Sequence, residues 1–225
     1  MKDSFCSVVL SFLMQSEWRV VRDRIDQECE NLARYQELGP PLVAQCLLIS
    51  GEDHRHRWHP GFDAIAICRA LWRRIAYGLR EGASTIEQQI VRTITGRYER
   101  TLQRKLLEIL LAILVSRFYA KSQLPAIYLA IAYYGWRMNG YRQACERLKL
   151  HPSSLSLEDA AGLVARLKYP EPRVAPITRV LQIRRRSQHL LRLFHRHLAD
   201  GTYGHLNGTP IRSRSAAFGL AEPVS

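Results

Sequence analysis

The sequence predicts a mainly α-helical protein, and three observations carry that prediction. Apolar residues recur at helical intervals along most of the chain, prolines and hydroxyl residues stand where helices begin, and no stretch of convincing length alternates apolar with polar. With 47% hydrophobic and 24% charged residues the chain is suited to a packed core and is not a disordered sequence. Its 225 residues fit one ordinary domain or two small ones, and no internal repeat divides them.

The elements follow in order. After Lys2, residues 5–14 are apolar, roughly half of the ~20 needed to span a bilayer. They could form a weak signal-peptide core, but Gln15-Ser16-Glu17 is a poor cleavage site. A polar helix then runs to about residue 37. Pro40 and Pro41 open a helix over 42–49. Residues 66–82, AICRALWRRIAYGLREG, are amphipathic. Ser84 and Glu87 have capping-box spacing, and Ile86, Ile90 and Ile94 follow at helical intervals. Residues 106–115 are apolar almost all round, which predicts a core helix. Pro125 is expected to interrupt a helix, and 155–167 and 180–197 read as further amphipathic helices. Beyond Asp200 the composition turns to Gly, Ser, Thr and Pro, a loose tail. The division is therefore 1–37, 38–199 and 200–225.

Lys and Arg number 33 against 20 Asp and Glu, a net charge of +13 that attracts something anionic: nucleic acid, an anionic bilayer or a phosphorylated substrate. The five cysteines are scattered, and without a C-x-x-C pair they argue against a zinc knuckle or a disulfide scaffold. Cys46 and Cys68 sit in apolar helical runs and read as core fillers.

Two glutamates stand out. Glu52, in ISGEDHRHRWHPGFD, adjoins Asp53, and repulsion between adjacent carboxylates raises the proton affinity of one, as a general base requires. The plainer alternative is an acidic helix end facing solvent. Glu108 lies among Leu and Ile in RTLQRKLLEILLAILV, where a carboxylate needs a cation or a metal. Arg100, Arg104 and Glu108 are spaced for one helix face; a structural Arg104–Glu108 pair is the competing reading. Between them, GASTIEQQIVRT places a helix start near Ser84, a natural anion site. Gln88 and Arg92, one turn apart, would reach a ligand along that face. Arg92, Arg100, Arg104 and Lys105 together suit a pyrophosphate, because Arg binds phosphate oxygens bidentately. His54, His56 and His59 invite a zinc reading, but their spacing in a loop makes a merely polar cluster the preferred one.

The ordered set EDHRHRWHPGFD, GASTIEQQIVRT, RKLLE, YAKSQLPAIYLAIAYYG and RRRSQHLL resembles the five motifs of glycosyltransferase family 51, the peptidoglycan glycosyltransferases. The likeness runs from about residue 40 to 191, and no S-x-x-K motif of a transpeptidase half occurs, so it implies the monofunctional form. It implies a lysozyme-like helical lobe with a small membrane-associating jaw, for which 66–82 is the candidate: Trp72 and Tyr77 as interfacial residues, Arg73, Arg74 and Arg80 towards headgroups. By position, Glu52 is implied as the catalytic base, Glu108 as the second essential glutamate, and Asp53, Ser84, Thr85, Gln88, Gln89, Arg92, Arg100, Arg104 and Lys105 as substrate-binding. A divalent cation, Mg or Mn, is implied with the pyrophosphate, with Glu108 as its ligand. The implied partners are lipid II, the nascent glycan, an anionic membrane surface and other cell-wall synthesis proteins, with no nucleic acid. The implied location is the periplasmic face of the bacterial inner membrane. His56 stands for the usual Phe, Ala83 for a Gly, Thr93 for an Asn, and Ala126 and Ala130 for Glu and Asn; no membrane anchor of the family's kind is expected within these residues. The alternatives are a degenerate non-catalytic member and a lysozyme-like glycan-cleaving enzyme.

Overall fold

A computed structural model describes residues 2–79 and 82–206, with side chains from residue 14 onward. Its elements are α1 (Lys2–Arg34), α2 (Leu42–Glu52), α3 (Ala64–Tyr77), α4 (Ile86–Thr95), α5 (Leu102–Phe118), α6 (Leu124–Ile131), the strands β1 (Tyr133–Gly135) and β2 (Met138–Asn139), α7 (Tyr141–Leu148), α8 (Leu157–Lys168) and α9 (Ile177–Ala199). The mainly helical expectation stands. The antiparallel β1–β2 hairpin was not foreseen, because a strand of three residues opposite one of two is too short to show alternation.

The core has two halves that share α2 and α6. The run Val43–Ser50 in α2 is nearly all buried, because α8 and α9 cover one flank and α6 another. On the other half α4 packs on α5 and α6, and α1 closes over them through Val21 and Ile25, both fully buried. The entry to α2 is as expected, with Pro41 as its N-cap. Gly51 is where α2 meets α9: a Cβ there would come within 2.3 Å of Leu190 and 2.9 Å of Arg186.

Several expectations need correction. Pro125 does not interrupt a helix but opens α6, where its missing N–H is one of the orphans of a first turn. The helix α5 is not buried all round: Glu108, Leu111, Ala112 and Val115 face inward, whereas Leu102, Leu106 and Phe118 are largely exposed. Cys46 is buried, but Cys68 is exposed on α3. The loose tail begins later than expected, since Tyr203 and Leu206 are buried and Ser50 and Tyr203 hydrogen-bond to each other. The remaining tail, 207–225, lies outside the described residues.

α3 buries only Ala66. Asp63 caps its start by accepting from the Ala66 N–H at 3.0 Å, and Gly78, at φ 65°, ends it. Ile65, Leu71, Trp72, Ile75 and Tyr77 are left in the open, with the Trp72 and Tyr77 rings 5.3 Å apart. This exposed apolar face lies on the segment expected to be amphipathic; Arg80 lies outside the described residues. No helix among the described residues is long and apolar enough to cross a membrane.

Candidate active site

Glu52 is the last residue of α2, half-buried, and its orientation is set from the far end of the chain. Arg186 on α9 donates to Glu52 Oε1 at 2.8 Å and to the Gly51 carbonyl at 2.7 Å. No described residue bonds Glu52 Oε2. A carboxylate held by one oxygen, with the other open, can accept a proton in a fixed direction.

Asp53 does something different from what adjacency to Glu52 predicts. Its carboxylate turns inward and accepts from His59 Nε2 at 3.0 Å and from the Ile86 N–H at 3.1 Å. Burial pushes this carboxyl up, but the hydrogen-bonded imidazole of His59 outweighs it and holds it well below the usual carboxylate range. Asp53 is thus turned away from Glu52 and too enclosed to meet a substrate. It is instead the anion at the start of α4: the helix N-terminus expected to receive a ligand is filled by the protein's own carboxylate.

The cap of α4 is also displaced by one residue. Thr85, not Ser84, is the N-cap, accepting from the Gln88 N–H and donating to the Gly61 carbonyl at 2.7 Å. Gly61 permits this because it adopts φ 98° and lies so close to α5 that a Cβ would come within 2.3 Å of the Ala112 carbonyl. Glu87 accordingly closes no capping box; it is fully buried and paired with Lys121.

Released from capping, Ser84 joins the second cluster. Glu108 is 3% exposed and carries three cations: Arg92 donates to both its oxygens at 2.9 Å, Lys105 at 2.6 Å, and Arg104 from one turn earlier. Ser84 Oγ accepts from Arg92 and Lys105 at 3.3 Å each, and the Gln88 amide oxygen accepts from Lys105 at 2.6 Å. Burial pushes the Glu108 carboxyl up, but Arg92 and Lys105 overcome this and lower it. Burial, with the nearby Arg92 and Arg104, lowers Lys105. Three positive charges on one negative leave a surplus of two, on side chains that reach solvent. That arrangement attracts an anion. It does not fit a divalent cation on Glu108, whose oxygens are already taken by Arg and Lys donors, so no chemical step is assigned to a metal there.

Tyr128 of α6 connects the two halves. Burial pushes its hydroxyl up, and the charges of both Glu52 and Arg92 reach it, the first raising it further and the second lowering it. Glu52 and Arg92 thus both act electrostatically on one buried phenol.

A profile of the transglycosylase family matches residues 19–195, well over half of the chain. The chain belongs to the transglycosylase family. It is 36% identical over 132 residues to penicillin-binding protein 1F of Bacillus subtilis, covering 58% of this chain and 18% of the relative. It is 36% identical over 124 residues to penicillin-binding protein 1A of Aquifex aeolicus (54% and 17%), and 37% over 100 residues to penicillin-binding protein 1A of Vibrio cholerae (44% and 12%). The chain therefore spans less than a fifth of these relatives' length.

Within this transglycosylase domain the predicted residues divide cleanly. Ser84, Arg92, Arg104, Lys105 and Glu108 are brought together. Thr85 and Gln88 are buried and position others; Gln89 is half-buried on α4. Arg100 does not share a face with Arg104 and Glu108, because α5 begins only at Leu102, and it stands exposed in the preceding loop. The zinc reading of three histidines also fails as framed: His54 is exposed and stacked on His197 with centroids 5.7 Å apart, while His56 and His59 turn inward to Asp53 and Glu87. Missed altogether were Arg186, Tyr128 and Lys121. Arg186 lies inside the RRRSQHLL motif, but nothing in that motif indicates which arginine meets Glu52.

Proposed function

We propose that this chain is an inverting peptidoglycan glycosyltransferase that polymerises lipid II into β-1,4 glycan with release of undecaprenyl pyrophosphate. Glu52 removes the proton from the 4-hydroxyl of the acceptor N-acetylglucosamine. The freed oxygen attacks the anomeric carbon of the donor N-acetylmuramic acid from the face opposite the pyrophosphate. The anomeric C–O bond breaks, its electron pair leaves with the pyrophosphate, and the α-linked donor becomes a β-linked sugar. Arg92, Arg104 and Lys105, with Ser84 between them, stabilise the charge growing on the leaving group, and the exposed Arg100 and half-buried Gln89 add to the donor site once substrate is bound. Asp53, Thr85 and Gln88 serve the donor site by fixing α4.

The observation that carries this reading is the surplus-positive cluster on Glu108, together with a Glu52 held through one oxygen by Arg186. It favours synthesis over glycan cleavage. A glycan-cleaving enzyme that works with a carboxyl pair keeps one of them protonated at neutral pH, and Glu108, lowered by its cations, does not suit that role. A trough of about 320 Å³ runs off Arg104 between Met14, Leu106, Leu107 and Leu110, an apolar path suited to the lipid of the donor. The exposed Trp72, Ile75 and Tyr77 of α3 fit a peripheral place at the outer face of the inner membrane. Incubation with labelled lipid II, resolving polymer from monomer and from cleavage fragments, tests the reading. Polymer is expected; fragments from preformed glycan without polymer would transfer the assignment to the hydrolytic class.

A further inference from the structure

Beside Glu52, and outside the Glu108 cluster, lies a buried polar set that touches neither sugar nor pyrophosphate in the proposed reaction: Asp53 and His56 and His59 from the loop after α2, and Glu87 from α4. His56 is fully buried. Its Nε2 is 3.0 Å from the Lys121 carbonyl oxygen, which can only accept, so Nε2 bears the ring hydrogen. In the neutral ring Nδ1 then carries a lone pair. That lone pair faces Asp53 Oδ2 at 3.5 Å and Glu87 Oε1 at 3.7 Å and makes no hydrogen bond. Glu87 Oε2, also fully buried, has no hydrogen-bond partner either.

Acceptors pointing at acceptors in a dry interior are costly unless something positive lies between them. We propose that this is a binding site for one divalent transition-metal ion of the zinc type, with His56 Nδ1, Asp53 Oδ2 and the Glu87 carboxylate as ligands. Bonds of about 2.0–2.1 Å to a tetrahedral ion put its donors about 3.3 Å apart, and the 3.5 and 3.7 Å separations need only slight contraction. Two carboxylates and a neutral imidazole cancel the charge of a divalent ion, and mixed N/O donors suit zinc better than magnesium. The outer shell is in place as well. The Lys121 carbonyl fixes the His56 tautomer, and the His59 ring, whose Nδ1 accepts from the Gly61 N–H at 3.3 Å, presents its Nε2–H to Asp53. The Lys121 ammonium, which pairs with Glu87 Oε1, is the stand-in cation and the competitor. Its side chain is partly exposed and can swing to solvent. The ion would clasp the loop following Glu52 to the first turn of α4, whatever reaction Glu52 performs.

The test uses the full chain stripped with a chelator, titrated with Zn²⁺ by calorimetry and with Co²⁺ by visible absorption. One ion per chain is expected, with the intense Co²⁺ bands of low coordination number. His56→Phe and Glu87→Gln should each weaken binding by at least about 100-fold, since even outer-shell changes cost 10- to 100-fold. Lys121→Met, which removes the competitor and needs no new fold, should tighten it. Absence of saturable binding in wild type and in Lys121→Met would overturn the proposal. So would one bound ion unaffected by His56→Phe and Glu87→Gln, which would place it on surface histidines. A ring that titrates at His56 without binding metal would show that a proton, not an ion, fills the gap, and would also overturn it.

Discussion

Replacing Glu108 by Gln is expected to destabilise the protein far more than the same change at Glu52. Glu108 accepts four charge-assisted hydrogen bonds, two from Arg92 and one each from Arg104 and Lys105, and is almost wholly buried. The amide retains one acceptor oxygen, loses the negative charge, and leaves three cations facing one another. Removing one member of a buried ionic set costs about 3–5 kcal/mol, but Arg92 and Lys105 are 29% and 32% exposed, so solvent recovers part of this. We therefore expect a loss of about 3 kcal/mol, or roughly 6–12 °C in Tm for a domain of this size. Glu52 has one described partner and is 21% exposed, so Glu52→Gln should shift Tm by no more than about 4 °C. The pH dependence has a definite sign. Glu108 titrates lower when folded than when unfolded, so its stabilisation is complete above the ordinary glutamate range near pH ~4.3 and is lost as pH falls through the folded value. The Tm gap between wild type and Glu108→Gln should be full at pH 7 and close in acid. Equal Tm values at pH 7, within about 2 °C, would refute the view that the cluster is held together by this carboxylate.

Other outcomes follow from the same geometry. Arg186→Met should lower kcat for polymerisation by roughly 100-fold with little change in KM, because it leaves Glu52 present but misdirected. An unchanged kcat would remove Arg186 from the orientation of the base. Lys105 is lowered by burial, so donor binding should weaken on the alkaline side at a pH below the ordinary lysine range near ~10.4, and Lys105→Arg should carry that limb upward; coincident pH profiles would argue against a role for its charge. Trp72→Ser with Tyr77→Ser should reduce sedimentation with anionic vesicles more than added salt does, whereas complete release by salt alone would reduce the α3 contact to electrostatics.

What the sequence made legible was local. Helix starts at Pro41, the amphipathic α3, the run of α9 and the need of Glu108 for a cation all depend on residues within a few turns of each other. What it hid depends on contacts between distant segments. Whether Ser84 or Thr85 caps α4 is decided by the Gly61 carbonyl, 24 positions before Thr85. Asp53 reads as a partner of Glu52 because they are adjacent, yet it points to the Ile86 N–H, 33 positions on. Arg186 reaches Glu52 across 134 positions, beyond any periodicity. The exposed side of α5 is hidden for another reason: an all-apolar pattern carries no information about which face a partner covers, and Leu106 looks inward-facing until the packing of α4 is known. His56 departs from the family pattern, and its meaning depends on Glu87 and Lys121, which the fold brings beside it.

The measurement that bears most directly on the assignment compares wild type and Glu52→Gln on labelled lipid II, with circular dichroism and vesicle binding recorded on both. Wild type should form polymer and release the pyrophosphate carrier. Glu52→Gln should fold and bind vesicles equally well and form none, because the amide keeps the shape of the side chain and cannot take the proton. Polymer from Glu52→Gln at the wild-type rate would contradict the account.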